Sequence, residues 1–326
     1  MIGDVALAEK LRSRLRLPVI AAPMFIASTP DLLAAQCKSG IVGSMPALSL
    51  RTTDALDAAI TEIETALAAH DAAHPETPAA PFAINLIAHA SNDRHEADLD
   101  VILRHRVPIV IVSLAGSAGI VGKVHAYGGV VLNDVASDRH ARKCADIGVD
   151  GLIAVCAGAG GHTGSLSPFA FVQELRQWWQ GPLALSGSIA TGRSILAAQA
   201  MGADFAYIGS PFLATDEANT QDAFKAMVIA SSARDLVVTN SFTGVNASFL
   251  RPSLETNGFD PDRMTRPEGA VISIRNGGAN SRAWRDIWSA GQGIGAVREA
   301  GPAAAYVDRL TCEYDEAKAR FIHGIG

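Results

Sequence analysis

From Pro18 to about Ser210 the chain alternates short runs that are apolar throughout with longer, Ala-rich segments of helical period. The apolar runs fall at 19–24, 41–45, 82–87, 109–113, 130–135, 151–157, 183–187 and 205–210. Runs without polar alternation suit parallel strands covered on both faces. Helical segments fit between them at 31–38, 53–69, 93–104, 118–126, 138–146, 168–179 and 193–201. Eight strand–helix units point to an α/β protein built as a (β/α)8 TIM barrel. A doubly wound sheet gives the same alternation, but eight units within about 190 residues favour closure.

Elsewhere the pattern changes. The stretch 70–81 carries Pro75, Pro78 and Pro81 and reads as a linker before the third strand. After Ser210 the chain is helical at first, then rich in Asn, Gly, Pro and Arg with no strand period. The expected organisation is a (β/α)8 barrel over 1–214 and a smaller, lid-like helical and loop region over 215–302. A last helix at 303–321 is expected to pack back on the barrel. The first 17 residues mix Asp4, Glu9, Lys10 and arginines with leucines, which suits an amphipathic helix and not a signal peptide.

With 326 residues, 48% of them apolar and 18% charged, the chain can bury a large core. A net charge of −6 without a Lys/Arg stripe argues against a nucleic-acid partner. The longest apolar stretch, 107–121, is broken by Ser and Gly and is too short to span a bilayer. Cys37, Cys144, Cys156 and Cys312 lack paired spacing and fit a reducing compartment. The expectation is therefore a cytoplasmic protein with no membrane segment. Trp178 and Trp179 leave a homodimer contact and packing on the barrel's outer layer both open.

The candidate chemistry lies at the strand ends. Gly158-Ala159-Gly160-Gly161-His162-Thr163-Gly164 follows directly on the sixth apolar run. Glycine allows close approach and positive φ, and an imidazole can exchange protons near neutrality. These seven residues alone suit a structural turn as well as an active site. In a barrel, however, the site lies at the C-terminal ends of the strands. Read in order, those ends carry Ala22-Pro23-Met24, Asn85, Ser113, Asn133-Asp134, the GAGGHTG loop, Ser186-Gly187-Ser188 and Gly209-Ser210. The last two turns follow strands seven and eight, where barrels commonly bind phosphate through backbone N–H groups. Ordinary turn chemistry also favours Gly and Ser there. His70 and His74 have the spacing of a helical zinc pair, but no third ligand accompanies them, so no metal is expected. Cys156 reads as a small core residue. The remaining histidines lie in polar or helical surroundings, and the loop lacks the glycine order of a dinucleotide fingerprint.

Together these residues resemble the nitronate monooxygenase (2-nitropropane dioxygenase) family over nearly the whole chain. The resemblance is carried by Ala21-Ala22-Pro23-Met24, the Asn85 segment, Ala159-Gly160-Gly161-His162-Thr163-Gly164 and Ser186-Gly187-Ser188-Ile189-Ala190-Thr191-Gly192. It continues through Ile208-Gly209-Ser210-Pro211-Phe212-Leu213-Ala214-Thr215 and Ile287-Trp288-Ser289-Ala290-Gly291-Gln292-Gly293. The resemblance implies FMN as cofactor and oxidation of alkyl nitronates or nitroalkanes with O2 to a carbonyl compound and nitrite. It places Ala22, Pro23, Met24 and Asn85 at the flavin ring, and Gly160, Gly187, Ser188, Ile208, Gly209 and Ser210 at its edge and phosphate. His162 becomes the catalytic base or anion stabiliser, and Ser289 borders the substrate. Three departures stand out: Val155-Cys156-Ala157-Gly158 where the family often has Gln-Gly-x-Glu, Asp134 where one branch has Lys, and Ser186-Gly187-Ser188 where Gly-Gly is usual. Asp134 removes a positive charge from the pocket, which weakens attraction for an anionic nitronate. An FMN-dependent NAD(P)H:quinone or enoyl-type reductase is the competing reading, and a flavin-free phosphate-binding barrel ranks last.

Overall fold

The computed structural model describes residues 2–114, 116–242, 244–264 and 284–324. Parallel strands β1 (Val19–Ala21), β2 (Gly43–Pro46), β3 (Phe82–Ile87), β4 (Ile109–Ser113), β5 (Val130–Val135) and β6 (Gly151–Val155) follow one another around a sheet. After the short β7 (Gly161–His162), β8 (Leu183–Ser186) and β9 (Phe205–Ile208) complete it. The order β1-β9-β8-β6-β5-β4-β3-β2 is closed by a parallel bridge between Ile20 and Val42. Across that seam the Ala21 N–H donates to the Val42 carbonyl at 2.8 Å. The chain is a (β/α)8 TIM barrel.

Continuously apolar strands are explained by two separate cores. Ile20, Val42, Ala83, Ile109, Ile111, Leu132, Ile153, Ala184 and Phe205 fill the barrel interior. The alternate positions, such as Val110, Val112, Val131, Leu152, Leu185 and Ala206, face outward into the helix layer. Helix α1 (Val5–Arg12) brings Leu11 against the interior core, and Leu15 just beyond it does the same. The surrounding helices are α2 (Pro30–Lys38), α3 (Thr53–Ala73), α4 (His95–Arg104), α5 (Ala118–His125), α6 (Asp138–Asp146), α7 (Pro168–Arg176) and α8 (Gly192–Ala200). Thr29, Thr52, Ser117, Ser137 and Thr191 cap five of them by accepting an N–H of the first turn. These caps set where each strand-to-helix turn ends and so shape the loops at one rim.

Two expectations shift. α3 runs on to Ala73, into the segment read as a linker, because its C-terminal turn is tied down locally. The Asp71 carboxylate accepts the Ala79 N–H at 2.7 Å, and His70 Nε2 meets the Thr77 carbonyl at 3.3 Å. Beyond the barrel, a 3-10 turn (Ser210–Ala214) and α9 (Asp222–Ala230) lead to two strands that the pattern does not announce. β10 (Leu236–Thr239) and β11 (Ala247–Leu250) are four residues each, too short to show a period, and pair antiparallel. β11 also pairs with β7, so the loop after β6 forms the edge of a small three-stranded sheet. α10 (Arg251–Thr256) follows.

Trp179 is buried, and Trp178 packs inside its own chain, donating to Asp138 with the Arg142 guanidinium over its ring. Among the described residues no helix is long and apolar enough to cross a membrane, and no group of three metal-ligating side chains is present.

The final helix α11 (Ala303–Ile322) lies across α8 and α2. Its Glu313 carboxylate accepts the Gly192 N–H at 2.8 Å, and the Tyr306 hydroxyl donates to the Ala190 carbonyl at 3.0 Å. Contact at Gly192 is close: a Cβ there would lie 2.2 Å from the Tyr314 nitrogen and 2.3 Å from the Leu310 carbonyl oxygen. Gly192→Ala is expected to force the helices apart at a cost of about 1–3 kcal/mol. Thermal denaturation should show a lowered Tm; an unchanged Tm would mean that α11 is not held against the barrel at this point.

Candidate active site

The loop after β6 is closed on itself before it meets anything else. The Ala157 N–H donates to the Leu166 carbonyl at 2.8 Å, and the Thr163 hydroxyl reaches the Cys156 carbonyl at 3.1 Å. Gly164 fits against β6, where a Cβ would lie 2.1 Å from the Val155 oxygen. Gly158 takes a left-handed φ of +88°, and a Cβ there would meet the Ser188 hydroxyl at 2.2 Å. Only glycine satisfies both demands.

That turn joins three distant segments. The Gly158 carbonyl accepts the Ser188 N–H at 3.2 Å and the Gln292 N–H at 2.9 Å. The Gly291 N–H donates to Ser210 Oγ at 2.7 Å. Gly160 lies against Gly291 so closely that a Cβ would be 2.8 Å from the Gly291 nitrogen. Gly160, Gly187, Ser188, Gly209 and Ser210 thereby converge at one rim of the barrel, the end the strands point toward. Among the described residues the backbone N–H groups of Gly160, Gly209 and Ser210 donate to no protein acceptor. A cluster of free N–H donors at glycine-rich turns suits a phosphate, so the residues fit the phosphate of a flavin nucleotide.

The other candidates take defined places. Ala22, Pro23 and Met24 are half-buried at the end of β1, with the Met24 N–H held by Ser28 Oγ at 2.9 Å. The Gly209 Cα lies beside them, since its missing Cβ would sit 3.2 Å from Ala22 Cβ. Ile208 turns its side chain into the helix-layer core, and its carbonyl accepts the Ala22 N–H at 2.8 Å. It therefore holds Gly209 and Ala22 together through backbone. Asn85 is buried and donates through Nδ2 to the Ile111 carbonyl at 3.0 Å and to Ser113 Oγ at 2.8 Å. Both amide hydrogens are spent, leaving Oδ1 as its free group.

His162 stands on β7, opposite Ala247 of β11. The Trp284 ring meets it edge-on at 5.5 Å between centroids. The residue is exposed at the edge of the mouth, and partial loss of hydration shifts its imidazole below the ordinary histidine pKa, toward the neutral form. The Ser289 hydroxyl accepts the Gly161 N–H at 2.8 Å and donates to the Ser248 carbonyl. Its hydrogen is thus used in fixing the backbone beside His162. Burial pushes the neighbouring Cys156 thiol up to about 12, which leaves it unreactive.

Sequence reasoning passed over two contributors. Trp284 is one; nothing in its local pattern marks it. Leu114 is the other, with φ +70°. Ile26, Leu114, Ser188 and Trp284, all in loops around this rim, are non-glycine residues in the left-handed region. Such strain clusters at functional sites.

Below the mouth, Asp134 of β5 faces the barrel interior beside Ile153. The Ser113 hydroxyl and the Leu114 N–H donate to its carboxylate, yet burial outweighs both and raises its pKa to about 6. Asp134 Oδ1 is buried without a hydrogen-bond partner.

The phosphate-type cradle at the mouth of a closed α/β barrel, with His162 and Asp134 beside it, suits a flavin-dependent oxidoreductase. A sequence profile of the nitronate monooxygenases matches residues 9–313, and the chain belongs to that family. It is similar to a nitronate monooxygenase of Paraburkholderia phytofirmans, 26% identical, over 92% of this chain and 93% of that one. It is also similar to (3aS,4S,5R,7aS)-5-hydroxy-7a-methyl-1-oxo-octahydro-1H-indene-4-carboxyl-CoA dehydrogenase of Rhodococcus jostii, 28% identical, over 79% of this chain and 69% of that one. Among solved structures, nitroalkane oxidase from Streptomyces ansochromogenes superimposes with a TM-score of 0.77 at 25% identity, over 95% of this chain and 99% of that one.

The raised pKa of Asp134 makes a stability prediction. The folded state holds this proton more tightly than the unfolded chain, whose value is about 3.9. The stabilisation is complete below about pH 4 and is lost as pH rises through the folded pKa of about 6. Above that the charged carboxylate costs on the order of 2–3 kcal/mol. Asp134→Asn should therefore raise Tm in mildly alkaline buffer and leave it unchanged in acid. A variant that melts like wild type in both buffers would show that the carboxylate is well solvated.

Proposed function

We propose that the chain uses FMN to oxidise alkyl nitronates with O2, giving a carbonyl compound and nitrite. The observation that carries this reading is the neutral His162, held on a pinned loop beside a cradle of free backbone donors. When bound, FMN accepts electrons from the substrate and passes them to O2. Gly160, Gly209 and Ser210 would hold its phosphate through N–H groups, with Gly187 and Ser188 closing the turn. Ala22, Pro23 and Met24 would border the ring, and Asn85 would offer Oδ1 to a ring N–H. Ser289 holds the Gly161 backbone, and with it the approach of His162 to the substrate.

A neutral imidazole removes the α-proton of a nitroalkane at a ring nitrogen, whereas an imidazolium does not. A substrate supplied as the nitronate has already lost that proton. His162 is then asked only to donate an N–H to its negative charge. Four unpaired cysteines, three of them buried, support a cytoplasmic setting.

A reductase using NAD(P)H on the same site is the second reading. It is favoured by the relative named as a hydroxy-indene-carboxyl-CoA dehydrogenase and by Asp134, which offers no attraction to an anion. Anaerobic mixing separates the two readings. Bleaching of the flavin by propyl 2-nitronate but not by NADPH supports the monooxygenase; bleaching by NADPH alone establishes the reductase.

His162→Gln should lower kcat/KM for a nitroalkane by about 10²–10⁴-fold with FMN still bound. In the wild type the acid limb of this activity should fall below the ordinary histidine range, because low pH charges His162. The nitronate itself should show no such limb. Equal losses for nitroalkane and nitronate would remove His162 from the role of base.

A further inference from the structure

Beneath the mouth, β3, β4, β5 and β9 send Asn85, Ser113, Asp134 and Tyr207 into the barrel as one polar layer above the apolar plug. Asn85 Nδ2 donates to Ser113 Oγ at 2.8 Å, and Ser113 in turn donates to Asp134. The second carboxylate oxygen, Oδ1, is buried and unpartnered. A buried polar atom without a partner costs free energy, and a proton on the carboxylate lowers that cost by removing its charge.

Among the described residues no cation offsets this carboxyl. The titratable groups that sense it are Cys144 on α6 and Tyr207 on β9. Burial pushes Cys144 up to about 12 and Tyr207 well above its ordinary value, so both stay neutral. β4 and the residue after it bring the uncharged Ser113 hydroxyl and Leu114 N–H to it, and β6 brings the uncharged Ile153 and Val155 beside it.

Resting on the flavin reading of this mouth, we propose that Asp134 is the site's proton store: it binds one proton when the bound flavin accepts two electrons and releases it when they leave. The electrons come from the nitronate, or from a reduced nicotinamide in the second reading, and depart to the acceptor. The proton comes from solvent and converts the carboxylate to the acid; no bond of the carboxyl is oxidised or reduced. The physical cause is that electrons arriving on the ring add negative charge in a low-dielectric site, which strengthens proton binding at a nearby carboxylate. A lysine at this position would neutralise the same charge without taking up a proton. Asp134 therefore ties flavin reduction to pH. Below about pH 6 the carboxyl is already neutral and the extra proton disappears.

The test is the midpoint potential of the bound flavin as a function of pH, in the wild-type holoenzyme, Asp134→Asn and His162→Gln. The wild type and His162→Gln should take up one proton more per flavin reduced than Asp134→Asn, over a window that opens above pH 6. Infrared difference spectra of the wild type should gain a carboxylic-acid C=O band on reduction, a readout that holds even if Asp134→Asn fails to fold. Equal proton counts in wild type and Asp134→Asn, or no acid band, would overturn the proposal while leaving the flavin reading intact. Loss of the extra proton in His162→Gln instead would assign it to the histidine. A protein that takes up no flavin would overturn both.

Discussion

The Gly158 carbonyl is the point on which the site depends. It accepts N–H groups from Ser188 and Gln292, residues that come from the turn after β8 and from the C-terminal segment. Neither bond forms unless Gly158 adopts its left-handed φ, and no side chain fits there because Ser188 occupies the space. Two bonds to one oxygen thus bring together elements more than a hundred residues apart. Ser289 and Ser210 extend the same junction by binding the Gly161 and Gly291 N–H groups. With the turns so fixed, the N–H groups of Gly160, Gly209 and Ser210 lie at one junction, and His162 follows on the same loop.

Closure of the barrel supplies the rigid base for this junction. The interior core is apolar up to the level of Leu132 and Ile153, and polarity begins one interior residue higher, at Asp134 and Ser113. An abrupt change from apolar plug to polar layer places a low-dielectric floor under the mouth. There the same carboxylate that would be inert in water is held near the middle of its titration. His162 is displaced in the opposite direction by the same loss of water, toward the neutral form. The site thus holds two proton-binding groups shifted in opposite directions, one at the substrate side and one below.

The barrel was legible because parallel strands buried on both faces write themselves as unbroken apolar runs, and Thr and Ser caps mark the starts of the following helices. The glycine turns were legible too, since their function requires the residue type itself. β10 and β11 were not, because four-residue strands of a small sheet depend on pairing with β7, a partner more than seventy residues earlier. Trp284 and Leu114 escaped for a similar reason: a left-handed φ in a bulky residue is imposed by tertiary contacts and leaves no local trace. Asp134 was visible as a departure from a family pattern. Its orphaned oxygen and the absence of a cation beside it among the described residues are properties of the folded chain.

If the turns converge on a phosphate-bearing flavin, the protein distinguishes flavins by their phosphate. Titration of the purified protein with FMN and with riboflavin, followed by quenching of flavin fluorescence, compares the same ring with and without the phosphate. The account predicts one FMN per chain and at least tenfold weaker binding of riboflavin, a difference of about 1.4 kcal/mol or more. Equal affinity for the two, or no binding of either, would contradict it.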